Sequence, residues 1–141
     1  MPPTAPSVEG TFRALRTVHF VLLASILLYI WAGEKVIRHN QQVPGRAFST
    51  AFGLFAAATS VAALVVRTKT IQPALDLLQT QPNDTSALNR WRSGSILSYV
   101  LAESVVLFGF SLRIFGGTLA LSAPFYIAAI VLMIFLRPQR P

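Results

Sequence analysis

Glu103 is the residue whose type and place in the chain point most directly to chemistry. It is the tenth of the nineteen residues 94–112, and every other member of that run is apolar, small or hydroxylated. A carboxylate at the middle of a bilayer costs about 2.5–3.5 kcal/mol on insertion scales. Its side chain is too short to reach an interface, so the neutral acid is the form that hydrocarbon tolerates. No basic residue of another apolar run stands at the same depth, and Arg113 is ten residues, about 15 Å, further along the helix. A protonatable carboxyl without a countercharge is what a proton carrier uses. The same group, protonated and hydrogen-bonded to Ser25, Thr59 or Ser60, would instead hold helices together.

Other chemistry-bearing residues are sparse. The chain has no Cys, so it carries no disulfide framework, thiolate metal site or Cys nucleophile. His19 lies near one end of the first apolar run and His39 beyond its other end, so the two cannot ligate one haem; no metal site and no cofactor is expected. Gly116-Gly117 and Pro44-Gly45 read as turns, because no Lys-Ser/Thr follows either one to cradle a phosphate. No Ser/His/Asp set shares a depth, which argues against an enzyme.

The elements that must position Glu103 follow from composition. Of 141 residues, 53% are hydrophobic and 12% charged, about half the charged share of a soluble domain. That deficit excludes a disordered tail, a coiled coil and a nucleic-acid module, although 12 Lys/Arg against 5 Asp/Glu give +7. Four apolar runs, at about 17–33, 47–66, 94–112 and 118–136, meet the length needed to cross a hydrocarbon core. Backbone groups in a bilayer must be satisfied within the segment, so each run is expected to be a helix. The fold class is therefore an all-α, polytopic membrane protein, one domain over 1–141, with four transmembrane helices. The first run is too long for a secretory signal and lacks a small-x-small cleavage site before Glu34. Pro124 is expected in the first turns of the last helix, where a missing N–H costs little.

Basic residues set the orientation. Arg13, Arg16, Arg67, Lys69, Arg90, Arg92, Arg137 and Arg140 collect on one side, and Lys35, Arg38, Arg46 and Arg113 on the other. Eight against four places both termini in the cytoplasm of a cell (inner) membrane. Tyr29, Trp31 and Phe48 would then form an outer aromatic belt, with Trp91 on the inner side. Glu34-Lys35 reads as an exposed pair. The cytoplasmic loop 67–93 contains a segment, 73–78, that reads either as two helical turns on the membrane surface or as a plain linker. Asp84 or Ser86 would cap a helix starting before the membrane.

Residues 13–32 laid over 92–111 match Arg13 with Arg92, Phe20 with Tyr99, Ser25 with Ser104 and Tyr29 with Phe108. This suits a duplicated two-helix hairpin, and it also suits the general likeness of apolar helices. Ser49, Gly53, Ala57 and Ser60 form a small-residue stripe on the second run. Ser95, Ser98, Ala102 and Gly109 form another on the third. Such stripes let backbones approach in lipid, so these two helices are expected to pack together, or against another membrane subunit or a second copy.

Gln81-Pro82-Asn83-Asp84, the basic pair around Trp91, and a helix with Ala102-Glu103-Ser104 and Leu107-Phe108-Gly109 resemble part of a known family. That family is the rotary ATPase proteolipids, the ring-forming c subunits, and the likeness lies in their polar loop and carboxylate helix. It covers about 35 residues, or about 65 with the small-residue face of the second run. It implies a proteolipid-like oligomeric assembly in which Glu103, with Ser104, binds and passes an ion. No Gln lies in any of the four runs to complete an oxygen shell for a hard cation, so a proton is the expected ion. The chain departs from the family at Thr80, where the turn has Arg, in its thin glycine ladder, and in a longer spacing from Pro82 to Glu103. The rival expectation is a non-catalytic structural or assembly subunit of a larger membrane complex, with Glu103 as packing glue. A small multidrug exchanger fits less well, since that family carries its Glu in the first helix.

Overall fold

The computed structural model describes residues 7–36 and 45–140, and these form helices throughout, with no strand among them. Five helices follow in order: α1 (Val8–Val36), α2 (Arg46–Val66), α3 (Gln72–Thr80), α4 (Thr85–Ile114) and α5 (Leu119–Phe135). A π-helical segment, Arg67–Ile71, joins α2 to α3 without a break, giving one continuous helical stretch of 35 residues. Three stretches, Val8–Lys35, Arg46–Thr80 and Thr85–Ile114, are long and apolar enough to cross a membrane; α5 is a shorter apolar helix of 17 residues.

Local sequence explains the helix ends. The Asp84 carboxylate accepts hydrogen bonds from the backbone N–H of Ser86 (2.8 Å) and Ala87 (3.1 Å), satisfying two donors that the first turn of α4 leaves orphaned. At the far end of α4, Gly116 takes φ 86°, the left-handed conformation a side chain resists. The N–H of Gly117 then reaches Leu112 O at 2.8 Å and that of Gly116 reaches Arg113 O at 3.0 Å, closing a Schellman turn. Thr118 opens α5 by accepting from Leu121 N. Pro124 is the sixth residue of α5, beyond the free first turn, so it removes one intrahelical hydrogen bond.

α4 is the central element. α1, α2 and α5 each pack chiefly on it, and α3 folds back against its first turns. Its buried side is Ser95, Ser98, Tyr99, Ala102, Val105, Val106, Gly109 and Leu112, which contains the whole small-residue stripe of the third apolar run. The approach to α5 is closest at Gly109, where a Cβ would stand 2.8 Å from Phe125 Cβ and 2.9 Å from Tyr126 Cε1. Against α2, the contact is aromatic: Phe52 and Phe55 pack on Phe108, with ring centroids 5.6 and 6.3 Å apart.

Several expectations change. The segment 67–93 is not a loop: the π segment, α3 and the first two turns of α4 make a helical hairpin around a short turn at 81–84. Its core is Ala74, Leu75 and Leu78 from α3 with Ala87, Leu88 and Trp91 from α4. Trp91 is fully buried there and is no belt residue, whereas Trp31 is 61% exposed. α2 packs on α4 as expected, burying Ala56 and Ala63; of its stripe, Ser49, Gly53 and Ser60 are half-buried and Ala57 is exposed, so the stripe is only partly covered. Glu34 pairs across the bundle with Arg113 (2.9 Å), not with its neighbour Lys35 as an exposed pair. Arg38, His39 and Pro44 lie outside the described residues.

Candidate functional site

Glu103 projects from α4 toward α1 at the edge of the seam between these two helices. Its neighbours on the buried face, Ala102, Val105 and Val106, anchor the helix, while Val100 and Leu107 face outward. Across the seam, Ser25 Oγ lies 2.7 Å from Glu103 Oε1 and 2.8 Å from the carbonyl oxygen of Leu22, one turn earlier on α1. Of the three hydroxyls that sequence offers as partners, the fold brings only Ser25 to the carboxyl. Thr59 donates to Phe55 O and Ser60 to Ala56 O, both within α2. Ser104 also turns away, donating to Val100 O at 2.9 Å, because consecutive helical residues point in different directions.

Polar groups continue along the α1/α4 seam on both sides of this pair. Tyr99 stands one turn before Glu103, about 6 Å along the axis, and on the same helix face. Its ring meets that of His19 edge-on, with centroids 5.3 Å apart. Both residues are buried, and neither Tyr99 Oη nor His19 Nδ1 has a hydrogen-bond partner among the described residues. This cluster lies toward the end of the bundle that carries Arg16, Arg67, Arg137 and Arg140, here termed the basic end. Arg67 closes that end by donating to Phe135 O and stacking over the Phe135 ring, joining the tip of α2 to that of α5.

Toward the opposite end the next polar groups are further away. Arg113 bonds Glu34 Oε1 at 2.9 Å and Gly117 O at 2.8 Å, tying α1 to the α4–α5 turn. Tyr126 packs beside Gly33, its hydroxyl buried without a hydrogen-bond partner among the described residues. Between Glu103 and Arg113, about 15 Å apart along α4, the helix carries Val105, Val106, Leu107, Phe108, Phe110 and Leu112 together with Ser104, Gly109 and Ser111, and the buried Ser122 of α5 stands beside Gly109. The carboxyl thus has Tyr99 one turn away on one side and a mainly apolar stretch on the other, interrupted by hydroxyls.

The sequence signals the Glu103–Ser25 pair but not the His19–Tyr99 contact, since each of those residues reads alone as a helix-end polar group or a core aromatic. Among the described residues, no three His, Asp or Glu side chains cluster in a way that would hold a metal ion. Compared with family models, with curated proteins and with solved structures, the chain finds no match in any of the three. The proteolipid resemblance therefore stands on the residues that carry it and on nothing else.

Proposed function

We propose that this is a four-span protein of the cytoplasmic membrane, both termini inside, in which Glu103 binds and releases a proton as part of a proteolipid-like membrane assembly. The count of hydrogens around Ser25 supports this most directly. Ser25 has one hydroxyl proton and two acceptors within 2.8 Å. An ionised Glu103 would compete with Leu22 O for that proton. A protonated Glu103 donates its own to Ser25 Oγ, freeing Ser25 to donate to Leu22 O, and both contacts become full hydrogen bonds.

Release is asymmetric in this arrangement. Tyr99 stands about one turn from Glu103 toward the basic end, with His19 packed on its ring; that end is the side assigned to the cytoplasm by its arginines. The mainly apolar stretch up to Arg113 disfavours the other route. Exchange in this conformation therefore runs to the inner side, and passage to the outer side requires a second contact, from another subunit or another conformation.

The test is labelling by a hydrophobic carbodiimide, which attacks protonated acids in lipid. Modification at Glu103 that falls as pH rises is the expected result, with none in Glu103→Gln. No modification of Glu103 in native membranes would remove the proton-carrying role.

A structural subunit is the second reading, and an open groove favours it. Gly53, Ala56, Ala57 and Ser60 of α2 and Pro124, Phe125 and Ala128 of α5 line a groove floored by Val105 of α4. Small residues facing out along it suit the close approach of a helix from another subunit or a second copy. In that case Glu103→Gln, which keeps a donor, behaves like wild type in every assay. Native mass spectrometry in mild detergent separates the assemblies: many copies favour a proteolipid ring, and one copy with unrelated subunits favours the accessory role.

A further inference from the structure

A cavity at the basic end shares only His19 with the Glu103 scheme. It opens between the first turns of α1 and the segment leaving α5, with a volume of about 670 Å³. Arg16, Arg137 and Arg140 reach its wall from both sides, and no acidic residue lines it. Glu9 stands 3.4 Å from Arg13 and 3.9 Å from Arg140, at the long end of an ion pair, while Arg16 and Arg137 form no ion pair among the described residues. Two of them are held over rings, Arg16 over Phe20 (5.6 Å to the centroid) and Arg140 over Phe12 (4.9 Å), which fixes their planes without using their donors. His19 forms part of the wall, is 6% exposed, and has a buried Nδ1 with no partner.

From this arrangement we infer a binding site for one anionic phospholipid, its phosphate held by Arg16, Arg137 and Arg140 and its acyl chain lying along Phe20 and Ile134. Arginine forks match phosphate oxygens two at a time. The residues on α1 recur at positions 12, 16, 19 and 20, one helix face that is cationic at 16 and apolar at 12 and 20. Below the arginines the wall continues onto Phe20 and Ile134, which are 56% and 61% exposed on the outer surface of the bundle. A free phosphate has no use for that apolar half, whereas a lipid fills both halves at once. Basic residues that served only to orient the chain would need no cavity and no convergence from two helices.

Native mass spectrometry of the delipidated full-length chain in mild detergent tests the assignment. The expected result is one phosphatidylglycerol retained in preference to phosphatidylcholine. Replacing Arg137 and Arg140 together by Gln should weaken that preference about tenfold or more. The pair Arg90→Gln with Arg92→Gln, both exposed and outside the cavity, removes the same charge and should leave the preference intact. Equal retention of both lipids, equal loss in the two double variants, or displacement of the lipid by millimolar inorganic phosphate would each overturn the site. If the Gln pair does not fold, Arg137→Lys with Arg140→Lys keeps the charge and removes the fork. A reduced preference then supports the site, and an unchanged one refutes it.

Discussion

At the scale of single residues, Ser25 and Glu103 behave as one unit, and their separate removal distinguishes carrier from glue. Ser25→Ala deletes the hydroxyl that meets the carboxyl at 2.7 Å and leaves Glu103 with no partner across the seam. The expected cost is about 1 kcal/mol of stability, the worth of one ordinary hydrogen bond. If the pair stores a proton, the freed acid should label faster with carbodiimide than in wild type, because the reagent no longer competes with Ser25. An unchanged labelling rate, measured beside detergent melting curves, would mean that Ser25 does not govern the proton. Sequence offered Ser25, Thr59 and Ser60 on equal terms, since all three stand at about the same depth. Only packing selects between them, and it does so by turning the two α2 hydroxyls onto their own helix.

At the scale of elements, the helical hairpin of the π segment, α3 and the start of α4 is what a hydropathy pattern renders least well. Lys69, Asp76, Arg90 and Arg92 break the apolar runs, so residues 67–93 look like a connection. Yet Ala74, Leu75 and Leu78 repeat at helical spacing, as do Ala87, Leu88 and Trp91, and each set is the buried stripe of its helix. That amphipathic signal is present in the chain; what it lacks is any mark of the partner, because Trp91 at a membrane border reads equally well as a belt residue. The four apolar runs were legible because solvent alone dictates them. The junction at Asp84 carries a measurable consequence. Asp84→Ala leaves Ser86 N and Ala87 N without their acceptor and should cost about 0.5–2 kcal/mol. The loss should appear first as faster hydrogen exchange over α3 and the opening turns of α4, while exchange in α5 stays unchanged. Uniform protection across the hairpin in the variant would show that the cap contributes nothing.

At the scale of the whole molecule, α4 serves as the axis on which three other helices rest, and the two small-residue stripes divide between inside and outside. Gly109 belongs to the inside: a methyl group there would stand 2.8 Å from Phe125 Cβ and 3.2 Å from Ser122 O, atoms of a neighbouring helix that cannot move independently. Gly53 belongs to the outside, with nothing within 4 Å of the position a Cβ would take. Gly109→Ala should therefore destabilise the isolated chain by about 1–3 kcal/mol through overpacking. Gly53→Leu should leave the isolated chain within about 0.5 kcal/mol of wild type. Its effect is reserved for whatever approaches the groove between α2 and α5. Measured together, unfolding in detergent and copy number by native mass spectrometry give each glycine its role. Lost stability with intact copy number is the expected signature of Gly109→Ala, and intact stability with lost association is that of Gly53→Leu. A Gly53→Leu chain that both melts and associates like wild type would leave the α2 stripe a lipid-facing surface, and any partner would have to bind elsewhere on the bundle.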